Sequence, residues 1–161
     1  MKSTHKVIGI DPGLAATGYG IVEGTTRQVV QYRFGTIRTA KTEDLAGRLD
    51  HIFSQLCSVL NSEQPALAII EGIFSLKAYP KSGIALGKVC GVLHVAGRQC
   101  KVPTMEIPAR EVKQILTGNG GAGKAQMERS VRHMLGASRP ISPSHASDAL
   151  ALALVGLLRY T

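Results

Sequence analysis

A chain of 161 residues has room for one domain with a real core and not for two. With no Trp, four Tyr and three Phe, that core must be built from Val, Ile, Leu and Ala, which suits helices packed on a sheet. A net charge of +8, from 19 Lys and Arg against 11 Asp and Glu, points to a polyanionic partner, nucleic acid first. The longest apolar run, residues 149–158, is half the length that crosses a bilayer, so no membrane span is expected.

Met1 to Lys6 lead straight into the first apolar run with no signal-peptide core, and a cytoplasmic protein is expected. Val7 to Asp11 reads as a buried central strand. Gly13 and Gly18 bracket a turn, Tyr19 to Glu23 resumes extended character, and Val29 to Thr39 is a third strand. Three short runs with tight connections predict an antiparallel meander. Asp44 or Thr42 caps the next element. In it Leu45, Leu49, Ile52, Phe53, Leu56, Val59 and Leu60 recur at threes and fours, the strongest amphipathic helix in the chain. Ala66 to Glu71 follows as a buried strand. The intervening helix makes a crossover, which sets it parallel to the first strand.

After a loop over residues 72–80, Ser82 to Gln99 reads as a second helix. It contains Gly83, Gly87, Gly91 and Gly97, which cost helix propensity and call for close packing against the sheet or a second subunit. Lys101 to Ile107 is a fifth strand, and Pro108 opens a short helix to about Leu116. A glycine loop, residues 118–123, precedes a charged helix from Lys124 to Leu135. Ser142 is the expected N-cap of a last helix with Pro143 at its first position. The pattern is one α/β domain over residues 1–161, a mixed five-stranded sheet flanked by helices. Cys57, Cys90 and Cys100 have neither CxxC nor zinc-site spacing and read as small apolar side chains in a reducing compartment.

Four residues carry the chemistry. Asp11 and Glu71 end apolar strands. His145 and Asp148, three apart at the start of an apolar helix, share a face. A carboxylate ending a buried strand is costly unless paired or metal-bound. Three carboxylates and an imidazole at one end of a sheet suit a divalent-metal site, and two such ions activate water and steady a leaving oxygen. Each residue alone has a bland reading: Asp11 as a turn former before Pro-Gly, Asp148 as a carboxylate favoured by a helix dipole, His145 as a surface residue. Only the set is diagnostic. No serine or cysteine nucleophile arrangement competes with direct attack by water.

The motifs Gly9-Ile10-Asp11-Pro12-Gly13, Thr17-Gly18-Tyr19-Gly20, Glu71 with Phe74, and His145-Ala146-Ser147-Asp148-Ala149-Leu150-Ala151 resemble those of the RuvC family of bacterial Holliday-junction resolvases. Ile37-Arg38-Thr39, Arg48-Leu49, Leu86-Gly87, Gly91-Val92, Ala109-Arg110 and Val112-Lys113-Gln114 extend the resemblance over essentially the whole chain. It implies an RNase H-like fold and a homodimer that nicks a four-way junction symmetrically, with Mg²⁺ or Mn²⁺ as cofactor, two ions per site. It also implies Asp11, Glu71, His145 and Asp148 as the catalytic and metal-binding set, and branch-migration proteins as partners. One common form of the pattern has aspartate where this chain has His145. The imidazole is either a metal ligand or the base that deprotonates water. The open alternatives are another RNase H-like nuclease, for RNA–DNA hybrids or other branched DNA, and a junction-binding protein that does not cut.

Phe74 lies in a loop with Lys77 and Lys81, where an exposed aromatic can stack on unpaired bases. Lys113 and Lys124 match basic positions of the family near the scissile phosphate, and Arg110 extends the basic surface. Residues 118–124, GNGGAGK, satisfy the core of a nucleotide-binding loop, but Ala125 stands where Ser or Thr should hold magnesium and the segment follows a helix. No nucleotide cofactor is expected.

Overall fold

The computed structural model describes residues 3–73 and 80–161. Strand β1 (His5–Asp11) has apolar side chains on both sides, as a strand covered on both faces requires. The antiparallel strands β2 (Ala16–Gly24) and β3 (Val29–Arg38) extend the sheet on one side of β1. The parallel strands β4 (Leu67–Gly72) and β5 (Thr104–Pro108) extend it on the other. The order β3-β2-β1-β4-β5 therefore puts β1 in the middle of a mixed five-stranded sheet, as expected.

Period-two alternation sorts the side chains of β1 and β4 between two cores. Ile8, Ile10, Ala68 and Ile70 pack under helices α1 (Leu45–Glu63) and α2 (Pro80–Gln99), against Ile52, Leu56, Leu60, Val89 and Leu93. Val7 and Ile69 face the opposite layer: α3 (Ala109–Thr117), α4 (Lys124–Leu135) and α5 (Ser144–Arg159), with Val112, Met127, Val131, Leu150 and Leu154. By the same alternation Asp11 and Glu71 belong to the α5 side.

Helix α5 is buried from Ala146 to Leu157 except at Asp148, which explains why it is apolar all round. Its backbone lies directly on the sheet. A Cβ on Gly9 would collide with the Ala149 carbonyl and sit 2.5 Å from the Ala153 amide nitrogen; one on Gly20 would sit 2.7 Å from that of Leu150. Gly9 of β1 and Gly18 and Gly20 of β2 let α5 approach.

Several boundaries differ from expectation. Asp44, not Thr42, caps α1, accepting the Gly47 N–H at 2.7 Å. The fifth strand starts at Thr104 rather than Lys101: Lys101 turns into the left-handed region at φ 59°, and the Val102 N–H closes back on the Gly97 carbonyl. Pro108 ends β5 and holds the N-cap position of α3, so the helix begins at Ala109. Pro143, extended at φ −73° and ψ 174°, takes the N-cap position foreseen for Ser142, and α5 begins at Ser144 without a side-chain cap. Proline has a fixed φ but free ψ, so it fits an extended cap as readily as the first helical position.

The glycines of α2 are not alike. A Cβ on Gly97 would meet Thr104 of β5, whereas Gly87 and Gly91 are exposed with nothing within 4 Å of the added carbon. The cysteines are free thiols: Cys90 is buried, while Cys57 and Cys100 are half-buried neighbours, the Cys100 thiol donating to the Cys57 carbonyl at 3.9 Å. Among the described residues no helix is long and apolar enough to cross a membrane.

Candidate active site

The site is assembled by register. In the parallel β1–β4 pairing Val7 stands beside Leu67 and Ile10 beside Ile70. One residue further on, Asp11, the last residue of β1, and Glu71, the last but one of β4, stand as neighbours at a strand spacing of about 4.8 Å. Both leave the sheet on the face that α5 covers. In the β1–β2 pairing Asp11 stands opposite Gly18. A Cβ on Gly18 would lie 3.1 Å from both the Cβ and the carbonyl oxygen of His145, so the first turn of α5 rests on β2 at the level of Asp11. Asp148, one turn on, is close enough for its charge to act on both Asp11 and Glu71. The turn after Asp11 is held by Thr17, fully buried, whose hydroxyl donates to the Gly13 carbonyl at 2.8 Å and accepts the Gly13 N–H at 3.3 Å. Thr17 was quoted above only as part of a motif; a lone threonine in a strand gives no other signal of this role.

Crowded carboxyls resist ionisation. Burial first, then the charges of Glu71 and Asp148, push Asp11 from 3.8 to about 7. Glu71 is raised by burial and by Asp148, while a hydrogen bond from the protonated Asp11 and the nearby Lys113 pull it back. Asp148 is raised by burial and eased by Lys124, His145 and Lys113. The hydrogen bond between them raises Asp11 and lowers Glu71, so of the two Asp11 is the one favoured to carry a proton.

A cleft of about 190 Å³ opens beside these groups, lined by Glu71, Asp148, Lys113 and Lys124, with Val112, Met127 and Leu152 among its apolar walls. The two lysines expected near a phosphate are therefore beside the carboxylates. Arg110 is exposed on α3, and its stem packs under Gly120 of the glycine loop, outside that lining. Lys81 is exposed in the first turn of α2. Phe74 and Lys77 lie outside the described residues. The apolar walls went unforeseen, because Val112 and Met127 read in sequence only as helix-face residues.

Asp11, Glu71 and Asp148 form no ion pair within 4 Å among the described residues. Nor do three His, Cys, Asp or Glu side chains there converge closely enough to enclose an ion by themselves. Burial raises all three carboxyls, and neighbouring carboxylate charges raise Asp11 and Glu71 further, as expected of acidic groups crowded into one place. Three hard oxygen donors, partly buried, unpaired and short of positive charge, fit a divalent cation such as Mg²⁺.

Residues 7–156 match the family model described as crossover junction endodeoxyribonuclease RuvC. The chain belongs to the RuvC family. Among curated RuvC relatives, that of Caldicellulosiruptor saccharolyticus is 37% identical over 156 residues, covering 95% of this chain and 92% of the relative. The Salmonella choleraesuis protein is 39% identical over 149 residues, covering 92% and 84%. The solved Thermus thermophilus RuvC superposes with a TM-score of 0.83 at 30% identity, covering 95% and 93%. RuvC of T. thermophilus in complex with a Holliday junction substrate gives 0.86 at 29%, covering 96% and 93%. The RNase H-like fold and the endodeoxyribonuclease class expected from the motifs are thereby borne out. RuvC enzymes use divalent metal ions for catalysis, which agrees with the donor set of this chain.

Proposed function

We propose that this RuvC-family chain resolves four-way DNA junctions as a homodimer, each subunit nicking one strand by in-line attack of water. One observation carries the reading: Asp11, Glu71 and Asp148 meet at the end of the sheet without counter-ions, and Lys113 and Lys124 share their cleft. Asp11, Glu71 and Asp148, with His145 as the fourth member, are the residues that would hold two Mg²⁺ ions, or Mn²⁺ in their place. When bound, such ions lower the pKa of water and steady the leaving oxygen.

The protein's own residues do the rest. The turn locked by Thr17 keeps Asp11 aimed into the site. His145, whose Cβ and carbonyl lie over Gly18, is proposed to coordinate or to take the proton of the attacking water. Lys113 and Lys124 offset negative charge that grows on the phosphate in the transition state. Phe74, with Lys77 and Lys81, is proposed to meet unpaired bases at the junction centre, and Arg110 to add to backbone binding.

The homodimer face is proposed to be the groove between α1 and α2. It is lined by Leu49, Phe53, Val92, Val95 and the open Gly91, and Val95 is 52% exposed. The 161 residues act as one nuclease domain in the cytoplasm, with branch-migration proteins as partners.

The test is cleavage of a synthetic four-way junction and a matched linear duplex with Mg²⁺, with Mn²⁺ and with chelator. Junction nicks that require metal and disappear in Asp11→Asn are expected. Nicking that survives Asp11→Asn sinks the mechanism, and equal cutting of linear duplex sinks the substrate.

A further inference from the structure

Beside the cleft lies a second groove of about 290 Å³, lined by Lys124, Ala125, Glu128, Ser144, Ser147 and Asp148 together with Pro140 and Ile141. It adjoins the cleft of the carboxylates, because Lys124 and Asp148 line both. Two helices start on it. The N-cap positions of α4 and α5 are Gly123 and Pro143, and neither supplies a side-chain cap, so the first-turn N–H groups of both helices lack a side-chain acceptor. The partial positive charges of two helix ends therefore meet at one place.

Ser147 is the second observation. It is 5% exposed, and its hydroxyl makes no hydrogen bond to any described residue. Among the described residues no fully enclosed side-chain oxygen or nitrogen lacks a partner, so this hydroxyl keeps an opening, and the groove is what it lines. A buried hydroxyl left open toward two helix N-termini and a lysine is a donor waiting for an anion. The two carboxylates in the wall do not reverse this. Glu128 is occupied by the Ile141 N–H at 3.1 Å and the Arg132 Nε at 3.5 Å. Asp148 faces the nuclease site as well, where cations are to bind.

We propose that this groove seats the phosphodiester next to the scissile one on the same DNA strand. The Ser147 hydroxyl donates to a non-bridging oxygen, and Lys124 and the two helix N-termini supply the field. The inference rests on the nuclease reading and deepens it: one phosphate is cut over Asp11, Glu71 and Asp148 while its neighbour is gripped by Ser147. The grip fixes the strand's position along its own direction, which the metal-binding carboxylates alone do not.

The experiment is a cycle of single-turnover nicking rates. Wild type and Ser147→Ala act on an unmodified four-way junction and on junctions with one neutral methylphosphonate, one step 5′ or one step 3′ of the cleaved bond. Ser147→Ala is expected to slow nicking of the unmodified junction by about tenfold or more, as for one charge-assisted hydrogen bond. Methylphosphonate at one of the two positions should slow wild type by at least as much, and at that position Ser147→Ala should cost nothing further. Wild-type rates for Ser147→Ala, or losses that multiply at both positions, overturn the proposal. If Ser147→Ala melts early, the same cycle on Ser147→Cys, similar in size but a weak donor, decides in its place. A wild type that nicks no junction overturns the nuclease reading and this inference with it. An active wild type with a multiplicative cycle overturns the phosphate seat alone.

Discussion

Asp11, raised from 3.8 to about 7, keeps a proton in the folded chain over a range where the unfolded chain has released it. In that window the folded state binds more protons, so the metal-free protein loses stability as pH climbs from about 4 to about 7 and stays at the lower level above. The cost is on the order of 1–2 kcal/mol once screening at the open end of the site is allowed for. Asp11→Asn removes it. In chelator at pH 8 the variant should melt about 3–6 °C above wild type, and with Mg²⁺ supplied its nicking should be lost. Differential scanning calorimetry beside a junction assay checks both halves, and a lower melting point would show that burial and crowding do not strain this carboxyl. For the same reason Mg²⁺ should bind more tightly at pH 8 than at pH 6, releasing a proton below about pH 7, which titration calorimetry in buffers of different ionisation heat detects. Asp11 and Glu71 were legible as a pair from the apolar runs that precede them. That Asp11 is the more strongly raised of the two was not, because it depends on how deeply each carboxyl is buried and on the charge of Asp148.

Helix α5 carries His145 and Asp148 to the strand ends, and glycines set its height above the sheet. A methyl at Gly9 would strike the Ala149 carbonyl, which belongs to helix backbone and cannot rotate away. Gly9→Ala is therefore expected to destabilise the protein by about 3 kcal/mol, read by urea unfolding, and to lower nicking further by lifting α5. Gly87→Ala in α2 is the contrasting case, since the added carbon meets nothing within 4 Å. There helix propensity predicts a gain of about 0.5–1 kcal/mol in monomer stability. If the α1–α2 groove is the homodimer face, Gly91→Ala, which adds an equally unopposed carbon within that groove, should weaken self-association in sedimentation equilibrium. Unchanged association would remove Gly91 from that face. In sequence all these glycines look alike as breaks in propensity, and only the packing tells Gly9, pressed under a helix, from Gly87, open to the outside.

The whole molecule carries a net charge of +8 that already includes the three carboxyls gathered in one acidic pocket. Junction affinity should therefore fall steeply with salt. Lys113→Ala and Lys124→Ala, both at the cleft, should each reduce the slope of log affinity against log salt by about one if each contacts one phosphate. Fluorescence anisotropy from low to moderate salt measures this, and an unchanged slope removes that lysine from the phosphate contacts. By itself the sequence determined the local and the periodic: which runs are strands, which faces are apolar, which residue types can hold a dication, and the motifs that mark the family. Asp11 was placed correctly at its strand end and Glu71 within one residue of its own, because alternation and strand length are local properties. The tertiary structure alone decided what depends on groups far apart in the chain. The β1–β4 register sets Asp11 beside Glu71, the seating of α5 on Gly18 brings in His145, and the starts of α4 and α5 enclose Ser147 in one groove. Burial and electrostatic coupling arise only when distant segments pack, so no window of sequence contains them.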